Sequence, residues 1–120
     1  MASINQVTLL GRVGQAPQYS EPKQGLTVAR FSLATTRKVN GQDETQWHRV
    51  TIFNKGADFV YKYVHKGDQV AVLGELKYSK YKKDNVEMER AEILANNVQL
   101  VQTTQSAQMK NEADDLPSDF

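Results

Sequence analysis

The chain has 120 residues and a mass of 13.5 kDa, with 39% apolar and 24% charged side chains, which suits one domain with its own core and a short tail. It contains no cysteine, which excludes disulfide scaffolds, cysteine-ligated metals and thiol catalysis. No apolar run approaches the roughly 18 residues of a membrane helix, and Met1 to Gln6 lacks the basic start and the apolar or amphipathic stretch of a leader peptide.

The net charge of +1 is unevenly divided. Residues 1–110 carry all 15 basic and ten of the 14 acidic side chains, while residues 111–120 carry four acids and no base. The body is suited to a polyanion and the end to a basic partner.

In chain order, residues 4–13 predict a strand, with Gly11 and Gly14 allowing a bend. Pro17, Pro22 and Gly25 mark residues 17–25 as a loop. Residues 26–35 alternate as a second strand. Asn40-Gly41 is a hairpin turn signal, and residues 45–53 form a third strand. Phe59, Val60, Tyr63 and Val64 fall at helical spacing within 57–65, with a stop near Lys66-Gly67. Residues 69–81, kinked at Gly74, and 87–101 are the fourth and fifth strands, joined by a turn at Asp84-Asn85. After residue 102 periodicity disappears, and 103–120 reads as a disordered linker with an acidic tip. Five strands with a helix between the third and fourth predict an all-β OB-fold, a Greek-key barrel, over residues 1–102. That plan alone assigns no function.

Strand faces carry more. In the third strand, His48, Val50 and Ile52 share a core-like face, and Trp47, Arg49, Thr51 and Phe53 share the other. Two aromatics flanking a cation fit base stacking beside a phosphate. Packing under a loop or at a subunit interface accounts for the aromatics equally well. The segment Lys77 to Lys83 holds Lys77, Lys80, Lys82, Lys83, Tyr78 and Tyr81. It reads as an aromatic-basic arm for a nucleic-acid strand, or else as a solvated hairpin with snorkelling lysines. Arg12, Arg30, Arg37 and Lys38 extend the same positive surface.

Nothing points to catalysis. His48 and His65, the only histidines, lie on different elements without metal-ligand spacing. No glycine-rich loop precedes a lysine and a helix, and no acidic pair is placed for acid–base work. No metal, cofactor or enzymatic activity is expected.

Several segments resemble the bacterial and mitochondrial type of single-stranded DNA-binding protein. They are Asn5 to Pro17, Phe31 to Thr35, Thr45 to Phe53, Tyr63 to Val70, Gly74 to Leu76 and Ile93 to Val98. They run in collinear order over about residues 3–101. The Trp-His-Arg strand and the Tyr-Val-x-Lys-Gly helix end are the most specific. The resemblance implies a non-enzymatic homotetramer that holds single-stranded DNA in replication, recombination and repair. Its stacking aromatics fall on Trp47, Phe53 and Tyr81, the last usually Trp. A further stacking position falls near Val39, which has no π-face. The histidine that the family keeps near the subunit interface falls on His48. Phosphate contacts are expected from Arg12, Arg30, Arg37, Lys38, Arg49, Lys77, Lys80, Lys82 and Lys83.

The chain end resembles the acidic tip through which bacterial relatives dock replication and repair proteins. Asp114, Asp115, Leu116, Pro117, Asp119 and Phe120 match it, with Ser118 and Asp119 intervening between proline and phenylalanine. A terminal Phe with its carboxylate suits a basic-rimmed apolar pocket. The tip favours a bacterial cytoplasm or nucleoid over a mitochondrial matrix. The competing expectation is an OB-fold protein-interaction module of a replication-restart assembly, which the loss of a platform at Val39 favours.

Overall fold

Period-two alternation puts most of this chain into strands. In the structure, a computed structural model describing residues 1–103, these are β1 (Val7–Val13), β2 (Gln18–Lys23), β3 (Leu26–Val39), β4 (Gln42–Phe53), β5 (Gln69–Lys83) and β6 (Val86–Gln102). One helix, α1 (Lys55–Tyr63), lies between β4 and β5. The sheet order is β1-β5-β6-β4-β3-β2, and β1 also pairs with β3. That extra pairing, Arg12 opposite Ala34 and Val13 opposite Leu33, closes a five-stranded barrel with β2 added at its edge. Among the described strands only β4 and β6 run parallel. The architecture is the expected OB-fold.

The inward residues of the barrel strands, among them Phe31, Leu33, Val50, Ile52 and Val72, form one core, onto which α1 lays Ala57 and Val60. Both long hairpins turn on consecutive residues of positive φ: Asn40 and Gly41 at 53° and 81°, Asp84 and Asn85 at 54° and 64°. This is the turn whose twist matches the strands it joins. At Gly74 the β5–β6 register shifts, and a side chain there would collide with the Leu94 carbonyl and come within 2.7 Å of Ala95 Cα.

Three local expectations are corrected. Residues 17–25 are not a loop throughout, because Gln18–Lys23 pairs with β3 as an exposed edge strand. Pro22 sits where the register shifts between Ser20 and Lys23, so its missing N–H breaks no regular ladder. The Tyr19 hydroxyl donates to Asp58 Oδ1 at 2.7 Å and its ring stacks on Tyr61 with centroids 4.4 Å apart, tying β2 to α1. That hydrogen bond, and secondarily desolvation, raises the Tyr19 phenol above its ordinary pKa.

The first strand begins at Val7, not at residue 4. Ile4 is 92% exposed, and Asn5 bonds β5 through its side chain instead of its backbone. The helix starts and ends two residues earlier than its apolar spacing predicts. Asn54, at φ 58°, ends β4, and Val64 is already extended although its N–H still reaches Val60 O at 3.0 Å. The Asp68 carboxylate then accepts the His65 N–H at 2.8 Å. Of the expected linker and tail, residues 104–120 lie outside the described residues. No helix among the described residues is long and apolar enough to cross a membrane.

Candidate nucleic-acid interface

The alternation along β4 decides which side chains meet solvent. Val50 and Ile52 are buried in the core and His48 is half-buried beside them. On the other face Trp47 is 62% exposed and Phe53 40%, with Arg49 exposed between them. Thr51, on that same face, is only 6% exposed. The face is therefore a trough with Thr51 at its floor.

Cross-strand register extends the trough across the barrel. Arg12, Ala34 and Trp47 form one row through β1, β3 and β4. Ser32 faces Arg49, and Gln18, Arg30 and Thr51 form a third row. Residues Arg90 and Glu92 of β6 supply the opposite wall. The open groove has a volume of about 680 Å³. Among the described residues the guanidinium groups of Arg30 and Arg49 make no hydrogen bond or ion pair. Two guanidinium groups are thus left on one polar face with ten N–H donors open to a ligand. A planar π-surface beside free guanidinium groups offers stacking and phosphate bonding at the same place.

Trp47 is seated by a glycine. A methyl group at Gly14 would overlap the Trp47 ring and stand 2.9 Å from Ser32 Oγ. The Gly14 N–H donates to Ser32 O at 2.9 Å, which holds the backbone under the ring. The sequence marks Gly14 only as a place where a strand bends; its contact with Trp47 depends on the barrel closure between β1 and β3.

The β5–β6 register divides the arm into two sides. Residues facing each other across the ribbon share a side. Lys77, Ser79, Tyr81 and Lys83 lie with Val86, Met88, Arg90 and Glu92, whereas Tyr78, Lys80 and Lys82 lie with Glu87, Glu89 and Ala91. The Tyr81 side therefore carries three cations to one acid, and the other side two to two. Lys80 pairs with Glu87 at 3.7 Å, so Lys80 and Lys82 belong to a charge-balanced surface turned away from Tyr81. Tyr78, 61% exposed, is also on that side. The run of lysines suggested a uniformly basic arm because the acids opposing it come from β6, later in the chain.

Arg90 was not singled out by the sequence. Its guanidinium carbon lies 4.9 Å from the Tyr81 ring centroid, and it also lines the trough with Trp47. One face of Tyr81 is thus occupied by a cation, leaving the other for a base. Arg90 also approaches Glu92 at 3.9 Å. The only available signal was its register two residues from the one opposite Tyr81, which needs the pairing to be known.

The remaining sites divide. Arg12 donates to Gly67 O at 2.7 Å, and Arg37 is bonded to Glu44 at 3.1 Å. Lys38, opposite Asp43, keeps the alternation of the Trp47 face far along the β3–β4 hairpin, and Val39 falls on the alternate face. His48 Nε2 shares a 2.8 Å hydrogen bond with Thr35 Oγ1. Asp114, Asp115, Leu116, Pro117, Asp119 and Phe120 lie outside the described residues. No group of three His, Asp or Glu side chains among the described residues is arranged to hold a metal.

Comparison with known proteins bears on this surface. A sequence model described as the single-strand binding protein family matches residues 4–101. A single-stranded DNA-binding protein of Xanthomonas campestris pv. campestris is 41% identical over 104 residues, covering 82% of this chain and 60% of its own length. The mitochondrial single-stranded DNA-binding protein of Danio rerio is 38% identical over 109 residues, covering 80% of this chain and 75% of its own. The chain thus spans about three-fifths of the length of the bacterial relatives it matches. A solved structure described as a Plasmodium falciparum SSB complex with ssDNA has a TM-score of 0.76 at 30% identity, covering 84% of this chain and 97% of that one.

Proposed function

The chain belongs to the single-strand binding protein family, and from that premise we propose that it binds single-stranded DNA without reading its sequence. The observation that carries this reading is the trough on β4. Trp47 and Phe53 are exposed on it, and the Arg30 and Arg49 guanidinium groups beside them have no partner among the described residues. Unpaired bases stack on the two rings and, by its free face, on Tyr81. Arg30, Arg49, Arg90, Lys77 and Lys83 neutralise phosphates along the same side. Lys38 and Arg12 extend the path, Arg12 by exchanging its bond to Gly67 for phosphate, whereas Arg37, on the Val39 face of the hairpin, lies off it. Lys80 and Lys82 have no part in it. A duplex cannot use the stacking surfaces, because its bases are already stacked and present no free face.

The wider role rests on the same premise. The protein works without enzymatic activity in replication, recombination and repair, as a homotetramer with His48 near a subunit contact. The tip Asp114 to Phe120 recruits partner proteins, and its acids favour a bacterial cytoplasm. The test is a competition assay on the full chain. Labelled oligo-dT bound to the protein should be displaced by unlabelled single strands of any sequence and not by duplex, with affinity falling as salt rises. Equal displacement by duplex, or no binding to oligo-dT while replication proteins bind, would overturn the reading in favour of an interaction module.

A further inference from the structure

Asn5 precedes β1 and belongs to no strand, yet its side chain completes one. Its Nδ2 donates to Leu76 O at 2.8 Å, and its Oδ1 accepts the Leu76 N–H at 2.9 Å. These are the two bonds that a facing strand residue exchanges with its partner.

The place where they act gives them weight. The β1 ladder on β5 ends at Val7 opposite Gly74. The bridges from β4 reach β6 at Ile93 and Leu94. From Lys77 and Glu92 outward, β5 and β6 pair only with each other. A two-stranded ribbon standing alone is marginal and twists readily. Leu76 is the residue at which this ribbon leaves the barrel on the β5 edge, and Asn5 holds both of its backbone groups there. Arg90 and Glu92 form a wall of the trough that contains Trp47, so the direction of the arm sets the width of the trough.

We infer that Asn5 is a positioning residue for the DNA-binding surface: by gripping the N–H and C=O of Leu76 it fixes the direction of the β5–β6 arm, and with it the placement of Tyr81 and Arg90 relative to Trp47. The consequence for DNA rests on the proposed function, whereas the clamp itself does not. Asparagine suits the task because it offers a donor and an acceptor from one planar group. Aspartate keeps the acceptor and loses the donor, and alanine loses both.

The test measures amide exchange and oligo-dT affinity on the full chain, in wild type, Asn5→Ala and Asn5→Asp. In Asn5→Ala the Leu76 amide should exchange roughly tenfold faster, as loss of one net hydrogen bond dictates, and affinity should fall about fivefold, the low end for one stacked base. In Asn5→Asp the Leu76 amide should exchange more slowly than in Asn5→Ala, because the acceptor remains; only its exchange is read, since the added negative charge itself weakens phosphate binding. An Asn5 with a merely structural role would lower the melting temperature and leave the affinity of the folded protein unchanged. Unchanged Leu76 exchange in Asn5→Ala overturns the clamp. Faster exchange with unchanged affinity overturns the positioning role. If Asn5→Ala does not fold, the uncharged Asn5→Gln decides: faster Leu76 exchange with reduced affinity supports the inference, and unchanged exchange, or faster exchange with unchanged affinity, overturns it. Failure of wild type to bind oligo-dT refutes the DNA reading instead, with the clamp judged on exchange alone.

Discussion

Replacing Gly14 by alanine probes the seat of Trp47 without touching the ring itself. The added methyl overlaps the indole and lies 2.9 Å from Ser32 Oγ, over a backbone held by the Gly14–Ser32 hydrogen bond. Overpacking of this kind costs about 1–3 kcal/mol. Trp47 is 62% exposed and can swing outward, so the stability loss should sit near the low end, about 1 kcal/mol. A displaced ring stacks poorly, so DNA binding should lose up to the full contribution of one base, about 1–3 kcal/mol or roughly 5- to 150-fold in affinity. Trp47→Ala should lose the same affinity with little loss of stability. The two changes share one contact and should not add. In the Trp47→Ala background, Gly14→Ala should therefore cost little further affinity and little stability. Urea unfolding and fluorescence anisotropy of labelled oligo-dT measure both quantities. A Gly14→Ala protein as stable and as tightly binding as wild type would refute the seating argument, as would a penalty that persists after Trp47 is removed.

The other predictions concern the same surface and the edge strand. Affinity losses on substitution by alanine should rank Trp47 first, Phe53 second and Tyr81 last, because Arg90 already covers one face of Tyr81; anisotropy titrations give the order. Arg30→Ala and Arg49→Ala should each flatten the plot of log affinity against log salt by about 0.7, the single-strand value for one phosphate, while Lys80→Ala and Lys82→Ala leave it unchanged. The raised phenol of Tyr19 makes its bond to Asp58 a source of stability below the ordinary tyrosine pKa of 10.0. That stability is lost as pH rises through the higher folded value, so Tyr19→Phe should lack this alkaline part of the unfolding profile.

The sequence makes the barrel legible because its signals are local. Alternation in 45–53 separates Val50 and Ile52 from Trp47 and Phe53 without any tertiary knowledge, and Asn40-Gly41 and Asp84-Asn85 mark their turns by chemistry. What escapes it depends on pairing. The strand at Gln18–Lys23 has no apolar face and gains its order from β3 and from the Tyr19 contacts with α1. The division of the arm into a basic and a balanced side, and the place of Arg90, follow from the β5–β6 register, which unites residues on separate strands. Gly14 under Trp47 and Asn5 on Leu76 are contacts between distant segments, and neither leaves a pattern in its own neighbourhood.

The most direct test of the central claim is a titration of the full chain with long oligo-dT, following the fluorescence of Trp47, its only tryptophan, with duplex DNA present as competitor. Trp47 stacked on bases predicts strong quenching that saturates at a fixed number of nucleotides per protein, persists with duplex present and fades with salt. Binding of the oligonucleotide with Trp47 fluorescence unchanged would contradict the trough as the site, and absence of binding would contradict the function.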